Sequence, residues 1–173
     1  MRRQLLWGLM VWATPLTAQD WPLGCFARTY DAAHLAAQPD QTVAALSIDF
    51  DLTDSPDYPR SAEVRALMAD TDRTRAEGSV GLVLENGGAC RRYDTVQPWQ
   101  SHDAQAGLPV CSADCDGGYF EILSAKPDEI LIGGGMALLG AEGCGPTSYL
   151  GDDIMEGRTV YRLYAASPEA CAP

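Results

Sequence analysis

The sequence predicts a single, mainly β domain: one antiparallel barrel-like or sandwich domain of about eight strands with one short helical turn. Two observations support the fold class. Short runs of alternating apolar and polar residues recur along the chain, and Gly, Pro, Asn and Asp separate these runs. The chain has 173 residues, which is enough for one domain with a sizeable core. Six cysteines behind an export signal further predict a domain held by disulfide bonds.

The first 18 residues have the pattern of a signal peptide. Two arginines form a positive start, residues 5–16 form an apolar core too short to cross a bilayer, and Ala18 offers a small residue for cleavage. We therefore expect the mature domain to be residues 19–173, in the periplasm or secreted. A membrane anchor, or a lipid attached to Cys25, is the weaker alternative.

The chain is strongly acidic. It has 24 acidic and 12 basic residues, a net charge of −12, and loss of Arg2 and Arg3 with the signal peptide leaves −14. No basic stripe can neutralise phosphates, so nucleic-acid binding is not expected, and no later stretch predicts a membrane span. The charge suits a cationic protein partner, and a barrel of about eight strands has room for packed side chains or one small ligand.

The clearest strand is expected over residues 41–52. Leu46, Ile48, Phe50 and Leu52 alternate there with polar residues. A period of two places one apolar face on the core and one polar face in water.

The neighbouring segments are less regular. Asp31 is expected to cap one helical turn that Pro39 ends. Residues 61–70 have both helical and strand spacing, and their place among strands favours a strand. Residues 79–94 predict a hairpin that turns at the Asn-Gly pair of positions 86 and 87.

A long loop is expected at 95–107, followed by four more strands. The glycines at 133–135 and 140–145 indicate bends or bulges. The predicted strands are 108–114, 119–125, 129–134 and 158–165.

The segment CSADCDGG places Cys111 and Cys115 four residues apart. On a strand their Cα atoms lie about 13 Å apart, whereas a disulfide needs less than about 7 Å. Each cysteine then needs another partner, although the sequence is compatible with many pairings. From their places along the chain we hypothesise Cys25–Cys171, Cys90–Cys111 and Cys115–Cys144.

Two metal sites are the alternatives at this segment, Cys111 to Gly118. Its C-x3-C spacing resembles the copper-carrying loop of Sco-like proteins, but the prolines and the alternating βαβ pattern are missing. Asp114, Asp116 and Glu121 are oxygen ligands of the kind calcium prefers, but the spacing departs from an EF-hand loop at both ends. We therefore favour a cross-linked turn, and expect no metal and no other cofactor.

Catalytic motifs are missing from the sequence. His34 lies in the capped turn, where a structural hydrogen bond is expected, and His102 lies in a polar loop. No nucleophile elbow, H-E-x-x-H or phosphate-binding loop is present, although a hydrolase with scattered carboxylates needs no local motif. Four aspartates are expected to form a solvated face and loop: Asp49, Asp51, Asp54 and Asp57.

Three features together resemble a family of small exported bacterial proteins with no assigned function. They are CFARTYDAAHLAAQPDQTV at 25–43, the order of the six cysteines, and CSADCDGG. The resemblance covers most of the mature chain, implies a strand at 61–70 and adds no catalytic residues. Many members of the family carry His at the position of Gln38, so the resemblance argues against a two-histidine metal site around His34.

These observations favour a non-catalytic binding or inhibitor-type module, with a hydrolase as the alternative. Four aromatic residues are candidates to line a site at a barrel mouth, with packing at the rim as their other role: Trp21, Trp99, Tyr93 and Tyr119. A polar pocket around a carboxyl group of perturbed pKa would favour the hydrolase, and an apolar cavity would favour a small ligand. A filled interior with an exposed aromatic patch would favour a protein partner.

Overall fold

A computed structural model describes residues 21–98, 100, 104–113, 117–140, 146–150 and 159–172. They form strands, two short α-helices and one turn of 3₁₀ helix. In chain order the elements are β1 Gly24–Thr29, α1 Ala32–Ala37, β2 Val43–Leu52, β3 Arg60–Met68, α2 Asp72–Glu77, β4 Val83–Arg92, β5 Pro109–Ala113, β6 Gly118–Ala125, β7 Glu129–Leu139, β8 Pro146–Tyr149, β9 Val160–Ala165 and the 3₁₀ turn Pro168–Ala170.

Eight strands close into an antiparallel barrel, which confirms the predicted fold class. β1 to β7 pair in chain order, and β9 returns to lie between β7 and β1. β8 pairs only with β7, at its carboxyl end, and lies outside the ring. Alternate residues of each strand therefore face a common interior.

The barrel interior is filled by apolar side chains. The Phe50 ring lies edge-on to Phe26 and Phe120, with ring centres 6.2 and 6.4 Å apart. Leu46, Ile48 and Phe50 of β2 are buried as predicted, but Leu52 is 66% exposed. The prediction for Leu52 was wrong because Phe50 already pairs with Gly24, the first residue of β1, so Leu52 extends beyond that strand.

The two ends of the barrel differ. At the helix end, α1 joins β1 to β2 and α2 joins β3 to β4. At the loop end lie residues 53–59, between β2 and β3, and the long connection between β4 and β5. The described part of the chain has no helix long and apolar enough to cross a membrane.

The helix end contains one predicted helix and one that the sequence analysis missed. Asp31 caps α1 as expected, because its carboxylate accepts a hydrogen bond from the His34 N–H at 2.7 Å. α2 begins with a reciprocal capping pair, Thr71 and Thr74, and ends at Gly78 in the left-handed conformation. Residues 61–70 are largely the strand β3, as their place among strands predicted.

The predicted hairpin at 79–94 is wrong. β4 runs through Asn86 and Gly87 without turning, and Gly87 pairs with Glu63 of β3. Gly88 faces the interior, where an added Cβ would lie 3.1 Å from Met136 Cε. The Asn-Gly turn preference is local, and pairing with β3 along the whole of β4 overrides it.

The glycines at 133–135 do not bend the chain either. They lie within β7 and pair in continuous register with β6. Gly134 has φ +134° and approaches β6 so closely that an added Cβ would lie 2.7 Å from the Tyr119 carbonyl oxygen. These glycines therefore permit close strand packing rather than a turn.

Two of the three hypothesised disulfides are formed by the described cysteines. Cys90 on β4 is bonded to Cys111, its register partner on β5. Cys25 on β1 is bonded to Cys171, just after the 3₁₀ turn. The third pair, Cys115–Cys144, lies outside the described residues and stays a prediction, as do the expectations for Trp99, His102, Asp114 and Asp116.

Candidate functional site

A cluster of three arginines and three aromatic residues lies at the loop end of the barrel. We call it the arginine rim, and its members are Trp21, Tyr58, Arg60, Arg91, Arg92 and Tyr93. Every member is at least partly exposed. The rim therefore presents charged guanidinium groups and aromatic rings to the solvent.

Strand geometry positions the rim arginines. Arg60 begins β3 and pairs with Cys90, so Arg91 lies one residue beyond that pair. Because Cys90 faces the interior, Arg60 and Arg92 continue the inward face at the barrel mouth. Arg91 projects on the outer side, so the rim has a mouth side and an outer side.

On the outer side, Arg91 lies close to two tyrosines. Its guanidinium carbon is 4.6 Å from the ring centre of Tyr93 and 5.3 Å from that of Tyr58. Both distances are within the range of a cation–π interaction. The rings hold the guanidinium without neutralising its charge.

On the mouth side, Trp21 packs against the core and meets Arg92. The Arg92 guanidinium carbon lies 5.2 Å from the centre of the Trp21 ring. One Nη of Arg92 donates a hydrogen bond to the Gly107 carbonyl at 2.9 Å. The barrel mouth is thereby linked to the connection between β4 and β5.

The residues before β3 are ordered by their own hydrogen bonds. The Ser55 N–H donates to Thr53 Oγ1 at 3.2 Å, and the Tyr58 N–H donates to Ser55 Oγ at 3.3 Å. The Thr53 hydroxyl also donates to the Tyr58 carbonyl. Tyr58 is therefore presented by a folded turn.

Two rim arginines have no carboxylate partner among the described residues. Arg65, Arg73, Arg75 and Arg162 each form an ion pair with a carboxylate. Arg60 donates only to the Pro59 carbonyl, at 2.8 Å, and no side-chain hydrogen bond of Arg91 is formed in the described chain. The Nε atoms of both are buried without an acceptor there.

Of the aromatic candidates, Trp21 and Tyr93 belong to the rim, whereas Tyr119 does not. Tyr119 is the second residue of β6, near the helix end, and is only 3% exposed. Its side chain alternates with the buried Phe120, so it lies on the outer face of the sheet beneath other residues.

Glu121 is the most deeply buried carboxylate of the described chain, at 0% exposure. It lies on the outer face of β6 and accepts a hydrogen bond from Gln100 Nε2 at 2.9 Å. This contact ties the β4–β5 connection to the barrel wall. The burial of Glu121 does not follow from its sequence neighbours, because Gln100 is 21 positions away.

His34 has the structural role that its capped turn predicts. Its Nε2 lies 3.0 Å from Gln41 Oε1, and its ring centre is 4.8 Å from that of Tyr30. Burial raises the pKa of Tyr30 to about 12, partly opposed by the positive charge of Arg28. Nothing in this cluster brings a nucleophile and a base together.

Asp49, Asp51, Asp54 and Asp57 were predicted to form a solvated face and loop, and all four are at least partly exposed. Together with Glu63 we call them the acidic wall. Asp49 of β2 lies directly opposite Glu63 of β3, and both border a surface groove of about 370 Å³. Within the described ranges no three His, Cys, Asp or Glu side chains come close enough together to hold a metal ion.

Of the rim residues, Trp21 and Tyr93 were predicted from the sequence, whereas Tyr58 and the three arginines were not. The signal available in the sequence was Arg91-Arg92-Tyr93, a basic and aromatic run in an acidic chain. Its meaning depends on the barrel, which brings Tyr58 and Trp21 beside it.

The chain was compared with family models, curated proteins and solved structures, and none of the three comparisons finds a match.

Proposed function

We propose that the chain is an exported, non-catalytic binding module of inhibitor type that engages a partner protein through the arginine rim. The observation that carries this proposal is a filled barrel whose loop end presents arginine, tyrosine and tryptophan side chains. These three residue types dominate the binding energy of protein interfaces. Because large apolar side chains occupy the interior, the surface is the better place for a partner.

The rigidity of the rim supports this proposal. Cys90, bonded to Cys111, directly precedes Arg91 and ties β4 to β5. The turn before β3 is closed by the Thr53 and Ser55 hydroxyls. A surface that is ordered before binding loses less conformational entropy when a partner arrives, which favours affinity.

Exposed apolar side chains also surround the rim. Leu23 and Leu52 are 52% and 66% exposed at the same end of the barrel. Leu52 pairs in register with Arg60, so apolar and charged surface are contiguous there. A mixed patch of this kind is typical of a protein-binding surface.

Site-specific photocrosslinking tests the proposal. A photoreactive amino acid replaces Tyr58 in the rim, and as a matched control it replaces Leu82, which has similar exposure near the helix end. In a bacterium that produces and exports the chain, we expect a protein adduct from position 58 and none from position 82. Adducts from position 82 alone, or none from position 58, would contradict the rim as the binding surface.

Export is a separate part of the proposal. We expect the protein recovered from the periplasm to begin at Gln19, with residues 1–18 removed. The intact mass of the purified protein checks this directly. Retention of the first 18 residues would contradict cleavage at Ala18.

A further inference from the structure

We infer that the partner of the arginine rim presents an acidic protein segment whose carboxylates bind Arg60 and Arg91. This inference rests on the proposed function and specifies the chemistry that the rim recognises. Guanidinium groups match carboxylates geometrically and form charge-assisted hydrogen bonds with them.

The first reason is the distribution of ion pairs within the chain. Although 24 acidic residues outnumber 12 basic ones, Arg60 and Arg91 have no carboxylate partner in the described chain. Asp51, Asp54 and Asp57 lie in or beside the turn that precedes Arg60, yet none is paired with either arginine. Within the described residues, the rim therefore contains two guanidinium groups that no carboxylate of the chain pairs with.

The second reason is the partial burial of these charges. Each Nε is shielded from solvent without an acceptor, and the rings of Tyr58 and Tyr93 flank the Arg91 guanidinium. A shielded charge without a counterion is unfavourable. A carboxylate that reaches the exposed part of such a guanidinium therefore gains more than it would from a fully hydrated arginine.

The third reason favours a protein segment over a polyanion such as polyphosphate. The acidic wall and the net charge of −12 repel a long chain of closely spaced negative charges. A peptide with a few carboxylates avoids most of this repulsion, and its apolar atoms can pack on Tyr58 and Leu52. The net charge alone suits a cationic partner, whereas Arg60 and Arg91 each offer a guanidinium that no described carboxylate pairs with.

Two-dimensional NMR with model peptides tests the inference. We titrate the isotope-labelled protein with hexaglutamate and, as the uncharged control, with hexaglutamine. Hexaglutamate should shift the Arg Nε–H signals of Arg60 and Arg91 and the amides of the rim, while those of Leu82 and Val83 stay in place. Equal signal shifts with hexaglutamine would overturn the inference. So would hexaglutamate-induced shifts that are confined to the acidic wall.

Charge-removing variants sharpen this test. In the double variant Arg60→Gln/Arg91→Gln, binding of hexaglutamate should weaken by about tenfold or more. The control is Arg162→Gln, which removes an arginine already paired with Glu129 and should leave binding unchanged. Unchanged affinity for hexaglutamate in the double variant would show that these arginines do not bind carboxylates.

Three outcomes separate this inference from the proposed function. A crosslinked partner at position 58, combined with no arginine-dependent hexaglutamate binding, would overturn the acidic segment alone. Polyphosphate of equal charge that binds more tightly than hexaglutamate would also overturn it, in favour of a polyanion. If position 58 forms no adduct, that result would instead contradict the proposed function.

Discussion

The guanidinium carbon of Arg91 lies 4.6 Å from the centre of the Tyr93 ring, and no described carboxylate is paired with it. Cation–π contacts at partly exposed sites contribute about 0.5–1 kcal/mol each. The interaction therefore orients the side chain, but it does not place the guanidinium in an ion pair. In a chain with twice as many acidic as basic residues, this guanidinium without a described carboxylate partner is the feature on which the proposed binding role rests.

Removal of the Arg91 charge should have little effect on folding. In Arg91→Gln, we expect the free energy of unfolding to fall by no more than about 2 kcal/mol, since two cation–π contacts of about 1 kcal/mol each are lost. Urea unfolding measures this change. A loss well above that value would show that Arg91 stabilises the fold, and would remove the rationale for a binding role.

The two described disulfides should differ in their contribution to stability. Cys25–Cys171 spans 146 residues and Cys90–Cys111 spans 21. In the chain-entropy model, loops of these lengths correspond to about 5 and about 3 kcal/mol. Urea unfolding of Cys25→Ser/Cys171→Ser and Cys90→Ser/Cys111→Ser measures both losses. The second pair is fully buried, so its serine variant also loses packing contacts and buries two hydroxyl groups. The variant Cys90→Ala/Cys111→Ala introduces no hydroxyl group and so separates these effects.

The third disulfide can be tested by mass. Reduction of three disulfides should add about six hydrogens to the mass of the exported protein, because each bond takes up two. Peptide mapping of the unreduced protein should find Cys115 joined to Cys144. A peptide that joins Cys111 to Cys115 would contradict both this pairing and the bond from Cys111 to Cys90.

Gly134→Ala should destabilise the barrel strongly. A Cβ at this position would lie 2.7 Å from the Tyr119 carbonyl oxygen, on a backbone with φ +134°. Overpacking and backbone strain together predict a loss of about 2–4 kcal/mol. The matched control is Gly87→Ala, whose nearest neighbour is the Glu63 carboxylate at 3.4 Å and which should cost less than about 1 kcal/mol. Equal losses in thermal unfolding would contradict the close approach of β6 and β7.

Tyr30 should make stability fall at high pH. Its pKa is raised from 10.0 to about 12, chiefly by burial. Between these values the unfolded chain releases the phenolic proton and the folded chain keeps it, so stability decreases as pH rises, by up to about 3 kcal/mol. Unfolding measured from pH 9 to 12 should show a steeper decline for the native sequence than for Tyr30→Phe. Parallel curves would contradict the raised pKa.

The strand pattern was predictable because alternation is a property of neighbouring residues. Leu46, Ile48 and Phe50 already show which face of β2 is buried, whatever the strand pairs with. The cap of α1 was predictable for the same reason, since Asp31 acts on a residue three positions away. Thr71 and Thr74 carried an equally local signal for α2 that went unrecognised.

The Asn-Gly pair at 86 and 87 shows where local preference fails. The dipeptide favours a turn in isolation, but Gly87 pairs with Glu63, and Gly88 pairs with both Ala62 and Ala113. Contacts with strands on both sides outweigh a turn preference of the dipeptide itself. No window of sequence around position 86 contains those partners.

Local alternation and cysteine positions were therefore enough to predict a disulfide-bonded, barrel-like or sandwich domain, because each acts through residues close in sequence or through simple limits on distance. The residues of the arginine rim come together only when the barrel closes. The rim gathers Trp21, Tyr58, Arg60 and Arg91 from three separate stretches of the chain, and two of its arginines have no carboxylate partner among the described residues. Charge pairing depends on distances in space, and those distances exist only after the strands have closed into the barrel.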